Sequence, residues 1–497
     1  MKKHAISAGN PATLEAAQEV LLAGGNAVDA AIAAYLTSFV AEPCMASIGA
    51  GGFAIVHHEG ESKLLDFFCQ TPTTKLSADK LDFYPVTIDF GTATEDFHIG
   101  QGAAATPGAL AGIYLMHKLY ATMPMQELAS HAIAQAKEGA LVDSFQAYDI
   151  KLLNDIFSIS KKGQEIFFTK DGERLQEGEK IFMPQFADFM DVLSIEGPDL
   201  FYKGEIAQKL DEEFRNNGGN LRYKDFADYK AEVRKPLTFD WGRYHIHTTP
   251  APSAGGSIIA AFLMTFLKEA QQTPSLLSQE HYQKLKTVFE KINAIKDDSK
   301  LLTEYLYIEF DIKSTQLNTQ HKWSGTSHFN IVDRNGMAVA LTTSIGEGCG
   351  YFIPGTDMQL NNMLGESALL PKGFHSWTPD TRLRSMMTPT MVFDDDHNLR
   401  LVTGSGGAGR IPFAIAQVII NHIVYKLPIE SAVQQPRLHI HKDSINIEKG
   451  FSLGDNFKGK VWDEQSLFFG GVHSIAVEKQ NYSATGDQRR MGVAGLR

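Results

Sequence analysis

The sequence predicts a layered α+β protein whose helix-rich first part and strand-rich second part complete one body. Three observations carry this. Up to residue 325 most apolar residues recur at helical spacing or in alanine-rich runs, whereas from residue 326 short alternating segments dominate. No internal repeat or low-complexity tract divides the chain. At 497 residues, 43% hydrophobic and 21% charged, the composition suffices for a large buried core.

In chain order, Leu14, Ala17 and Leu21 share one helical face over residues 13–22, and Gly24-Gly25 ends that run. Asn26 sits where an N-cap belongs, before the alanine-rich AVDAAIAAYLTSFV, which reads as a buried helix. A glycine cluster at 49–52 precedes the strand FAIVHH, and residues 63–68 read as its neighbour. Residues 107–140 suggest two helices, the first starting at Pro107. Residues 150–235 read as a mostly helical, charged outer layer. Then come the strand YHIHTT, the turn-rich PAPSAGG and an apolar helix. Residues 265–320 suggest helices leading to an exposed loop. Beyond it HFNIVD, MAVALTTS, TPTMVFD and LRLVTG read as strands, with one helix at 411–425.

The segment Trp323–Ser344 reads as a hairpin. Phe329 and Ile331 alternate with other residues, as do Val339 and Leu341 across the turn. Asp333-Arg-Asn-Gly336 suits a type I turn with Gly336 left-handed, which pairs Asp333 with Met337. Counting back sets Thr326 opposite Ser344. A cut just before Thr326 would give it a free α-amine, which titrates near neutrality and can act as base for its own hydroxyl. Ser344 would then orient that hydroxyl. A second element, Gly404-Ser-Gly-Gly-Ala-Gly-Arg410, lies between a strand and a helix, where backbone N–H groups can face a developing oxyanion. No Gly-Lys-Ser/Thr follows, so it is not a phosphate-binding P-loop.

Other classes are set aside. A net charge of −12 argues against non-specific nucleic-acid binding. Cys44, Cys69 and Cys349 form no CxxC pair and read as buried reduced thiols, so neither a metal nor an organic cofactor is implied. No apolar run spans a membrane. His4, Asn10, Glu15 and Gln18 break the apolar run expected of a leader, so the expected location is cytoplasmic. His328 reads as a core or supporting histidine, because no separate nucleophile motif accompanies it.

Taken together, GGNAVDAAIAA, EPCMASIGAGGFAIV, ATPGALAG, PAPSAGG, GTSHFNIVDRNGMAVALTTS, PGTDMQLNN, VTGSGGAGRI and YSATGDQRR resemble the landmarks of the γ-glutamyltransferase family, over nearly the whole chain. The resemblance implies an N-terminal nucleophile hydrolase with a four-layer αββα sandwich. It implies a proenzyme that cuts itself between Gly325 and Thr326 into a large subunit, 1–325, and a small one, 326–497. Thr326 would be both processing residue and nucleophile, with Gly407 and Ala408 donating to the oxyanion. The implied partners are a small γ-glutamyl or other amide substrate and the chain's own two subunits.

The substrate side departs from the family pattern. Phe68 stands where an arginine holds the glutamyl carboxylate, and an aromatic ring cannot replace that fork. Of a serine pair, Ser385 is kept and Met386 replaces the other. Glu366 aligns with the acid that binds the α-amine, on a longer arm, while Gly346 replaces an asparagine beside it and Ser344 a threonine. Arg384 or Arg382 would be the compensating cation. Three readings follow: a γ-glutamyl hydrolase or transferase, an amidohydrolase with another acyl group, or a non-catalytic member.

Overall fold

The computed structural model describes residues 3–89, 94–269, 272–313, 325–367, 369–370, 373–441, 444–479 and 481–497. The loop expected at the end of 265–320 falls largely outside them.

The first helices are set by their caps. After strand β1 (Ala5–Ala8), the Asn10 side chain accepts from Ala12 N at 2.8 Å and starts helix α1 (Pro11–Leu22). Asn26 accepts from Val28 N and Asp29 N while Asp29 reaches back to Asn26 N, a reciprocal cap for helix α2 (Ala27–Ala41). Every residue of α2 is buried, as its alanine-rich sequence required. Next come strands β2 (Gly51–His58) and β3 (Glu61–Phe67). Helix α3 (Ala109–Tyr120) starts at Ala109 with Gly108 as its cap, two residues past Pro107, and helix α4 (Met125–Glu138) follows.

Residues 144–228 form short helices, many with buried faces, so this region is not merely an outer layer. Four strands that the sequence does not predict are β4 (Glu232–Arg234), β5 (Leu237–Trp241) and, earlier in the chain, the two of a separate hairpin, Tyr84–Asp89 with Thr94–Ile99. The expected YHIHTT strand is β6 (Tyr244–Thr248), and the apolar helix after PAPSAGG is α5 (Gly255–Lys268).

The central hairpin pairs β7 (Gly325–Val332) with β8 (Ala338–Gly346). Gly336 is left-handed at φ +90°, Asp333 N donates to Met337 O at 3.0 Å, and Thr326 pairs with Ser344. The register counted from the turn is therefore the observed one. Strands β9 (Thr390–Phe393) and β10 (Leu399–Gly406) lead into helix α6 (Ile411–Ile419), extended by a π-turn over 420–424. Strands β11 (Gly471–Glu478), β12 (Asn481–Thr485) and β13 (Val493–Leu496) close the chain.

Two sheets result. One runs β13-β1-β7-β8-β2-β3-β4 and the other β12-β11-β10-β9-β6-β5. In the first, alternation sends Phe329, Ile331, Val339, Leu341, Ala54 and Val56 to a core shared with α1–α4. The alternate residues, among them Ala338, Ala340, Phe53 and Ile55, join a core with the second sheet, α5 and α6. Strands β7 and β8 lie against β10. Each sheet takes strands from both sides of residue 325, so neither part closes a sheet alone. Among the described residues, no helix is long and apolar enough to cross a membrane.

Candidate active site

Thr326 is buried at the start of β7, where a bulge separates it from Gly325. It opens on a pocket of about 330 Å³, whose lining also includes Ser344, Phe68, Glu366, Ser385, Met386 and Ala408. Residues separated by hundreds of positions thus converge, because β7 and β8 sit between β1 and β2 and against β10.

The neighbouring strand supplies Ser344, whose hydroxyl donates to the Gly325 carbonyl at 2.6 Å and accepts from Gly346 N at 3.0 Å. The serine thus polarises the carbonyl that precedes Thr326. The Thr326 carbonyl accepts from Arg490 Nη1 at 3.1 Å.

The glycine turn packs directly on the threonine. A Cβ on Gly406 would lie 2.3 Å from the Thr326 carbonyl oxygen, so only glycine fits. Gly407 has φ +119° and Ala408 φ +49°, before helix α6 begins. Ala408 therefore adopts the left-handed conformation despite its Cβ and lines the pocket. A non-glycine residue there carries about 1–3 kcal/mol of strain, held in place by the surrounding packing.

The substrate side of the pocket is largely apolar. Phe68 stacks on Phe53 at 5.5 Å between ring centres, and Met363, Leu369, Met386, Met387 and Ile411 complete the wall. Its polar groups include Glu366 and Ser385; the Ser385 hydroxyl accepts from Met387 N at 3.0 Å. No lysine or arginine lines it among the described residues. Arg382 is spent on Phe68 O, Lys230 O and the Tyr229 hydroxyl, with Asp66 at 3.6 Å. Arg384 lies outside the lining, its three guanidinium nitrogens buried without a hydrogen-bond partner among the described residues, and burial lowers it to about 10.

His328 occupies the contact between the sheets. Its Nδ1 meets the Thr342 hydroxyl at 2.8 Å, its Nε2 meets Asn330 Oδ1 at 2.9 Å, and burial holds it at about 3. It is a neutral core histidine. Cys44, Cys69 and Cys349 are buried and free.

A second cavity, of about 380 Å³, lies on the other side of the 325–326 bond. Gly325, Glu347, Asp149, Cys44 and Arg490 line it. Burial, with like charge from Asp149, pushes Glu347 up to about 8, and burial pushes Asp149 up to about 7. Nearby, Glu42 accepts from Ser327 at 2.5 Å and from Thr13 at 2.8 Å. The sequence reading missed this acidic cluster. Glu42 and Arg490 sit inside quoted landmark segments, but nothing in local spacing marks Asp149 or Glu347.

A family model described as gamma-glutamyltranspeptidase matches residues 13–313 and 264–496. The glutathione hydrolase proenzyme of Escherichia coli (strain K12) is 28% identical over 474 residues, covering 87% of this chain and 80% of that protein. The glutathione hydrolase proenzyme of Bacillus subtilis (strain 168) is 28% identical over 540 residues, covering 98% and 90%. Among solved structures, a cephalosporin acylase from Bacillus halodurans superposes with a TM-score of 0.83 at 22% identity, covering 99% of this chain and 96% of that one. At that identity the likeness concerns the fold.

Proposed function

The chain belongs to the gamma-glutamyltranspeptidase family, and on that premise we propose a self-processing enzyme that cuts itself before Thr326 and then uses that threonine to cleave γ-glutamyl amides. The observation that carries the reading is the pocket itself: Thr326, Ser344, Glu366, Ser385 and the Ala408 turn meet around one cavity. The two contacting sheets, with helices on their outer faces, support reading the body as the four-layer αββα sandwich of N-terminal nucleophile hydrolases.

In the processing step the Thr326 hydroxyl attacks the Gly325 carbonyl. The C–N bond breaks, the hydroxyl proton goes to the released Thr326 nitrogen, and an ester joins residue 325 to the threonine oxygen. Water hydrolyses the ester, leaving 1–325 and 326–497 as the two subunits. The freed amine then serves as base. It takes the hydroxyl proton as Thr326 attacks the substrate carbonyl and returns it to the departing amine. The Gly407 and Ala408 N–H groups face the oxyanion. Water or a second amine resolves the acyl-enzyme, giving hydrolysis or transfer.

Glu366 is the group suited to the α-ammonium of a γ-glutamyl substrate. A second reading rests on Phe68 and Met386: a pocket with no lining cation among the described residues also suits an acyl group without an α-carboxylate. Arg384 is the remaining candidate for a carboxylate, reached only by a shift beside Ser385. Mass analysis of the purified chain is expected to find the 326–497 fragment, and Thr326→Ala to abolish both the cut and turnover. A γ-glutamyl anilide is expected to be cleaved faster than simple acyl anilides. Turnover of the simple anilides alone would establish the second reading, and a whole, inert chain would reject both.

A further inference from the structure

Residue 325 is confined from four directions. A Cβ there would lie 2.6 Å from the Cys44 carbonyl oxygen and 2.6 Å from that of Gly346, so the site admits glycine alone. Its carbonyl accepts from Ser344. Its N–H donates to the carboxylate of Glu347, which comes from just beyond the end of β8 and shares the second cavity with it. The Glu347 backbone is itself fixed, its N–H donating to Asn362 Oδ1 at 2.9 Å.

We propose that Glu347 is a positioning residue for self-cleavage, holding the Gly325 N–H so that the adjacent carbonyl stays aligned with the Thr326 hydroxyl and the Ser344 donor. Attack on a carbonyl needs the two atoms within about 3–3.5 Å and correctly oriented. Without an anchor at its N–H, residue 325 keeps the Ser344 contact at its carbonyl but loses one of its constraints, and the alignment is held less tightly. A hydrogen bond to a buried acceptor is worth enough to make the difference visible in a rate. Glu347 lines the second cavity and is absent from the lining of the substrate pocket, so the role belongs to the cut, not to substrate recognition.

The inference rests on the self-cleavage proposed above, and the test separates the two. The full chain is made by cell-free synthesis and its conversion to two fragments is followed on denaturing gels, for the parent, Glu347→Ala and Glu347→Gln. Melting temperatures of the same substitutions in the uncleavable Thr326→Ala chain report folding. Glu347→Ala is expected to slow conversion about tenfold, the rate equivalent of one such hydrogen bond. Glu347→Gln, whose amide oxygen can still accept from the N–H, is expected to cut within about threefold of the parent. Conversion of Glu347→Ala at the parental rate overturns the positioning role. So does a loss in Glu347→Ala matched by an equal loss in Glu347→Gln. A parent that never cuts overturns the underlying reading together with it.

Discussion

Gly346 stands at φ +70°, with Glu366 Oε1 2.2 Å and Asn362 Oδ1 2.1 Å from the point a Cβ would take. The glutamate carboxylate thus fills the volume that a side chain at 346 would need. The two departures noted in the sequence, a longer acid and a missing asparagine, are one exchange of space. Restoring the asparagine alone must displace a buried carboxylate, and overpacking of this kind costs about 1–3 kcal/mol. Gly346→Asn is therefore expected to lower the melting temperature and the activity on a γ-glutamyl anilide. Adding Glu366→Asp, which withdraws the carboxylate by one methylene, is expected to recover part of both losses. Additive losses in the double variant would show that the two positions do not share the space.

At the scale of elements, the contact between β7 and β10 depends on one absent side chain. A Cβ on Gly404 would sit 2.2 Å from His328 Cε1 and 2.5 Å from either ring nitrogen. The ring cannot turn aside without leaving Thr342 and Asn330. Gly404→Ala is expected to cost about 1–3 kcal/mol, read as a lower melting temperature in the Thr326→Ala chain. An unchanged melting point would mean that the sheets can slide apart at no cost. This contact also marks what the sequence could reveal. The hairpin register was legible because Asp333–Gly336 fixes the loop length, and every side chain back to Thr326 then follows by counting. The Asn26 cap was legible for the same local reason. Strands β4 and β5 were not, because runs of three to five residues carry too little alternation. Nothing in the sequence singles out Glu347; its place depends on where β8 ends relative to Gly325, which is a matter of tertiary packing. Arg384 read as a substrate cation from its place beside Ser385, but the chain direction there carries its side chain out of the pocket lining.

For the molecule as a whole, buried titratable groups set how stability follows pH. Burial pushes Glu42 and Asp149 up to about 7 and Glu347 up to about 8, from ordinary values of 4.5, 3.8 and 4.5. Above those ordinary values the unfolded chain has released protons that the folded chain retains. The folded state then binds more protons, so stability falls as pH rises through the window. Buried histidines act in the opposite sense. Burial lowers His247, His281 and His473 to about 4 and His328 to about 3, from 6.5. Between those values the unfolded chain binds more protons, and stability rises with pH. The two sets oppose each other through pH 6.5, where the unfolded histidines are half protonated; from about pH 7.5 the histidines are neutral in both states and the acids, Glu347 above all, act alone. The Thr326→Ala chain, a single uncut species, is therefore expected to lose melting temperature between about pH 7.5 and 8.5. Asp149→Asn with Glu347→Gln replaces two of the acids by neutral groups of similar shape. That pair is expected to flatten the decline, leaving the smaller part that Glu42 contributes. A melting temperature that stays level or climbs from about pH 7.5 to 8.5 in the Thr326→Ala chain would mean that the cavity beside Gly325 holds its acids ionised, compensated by Arg490.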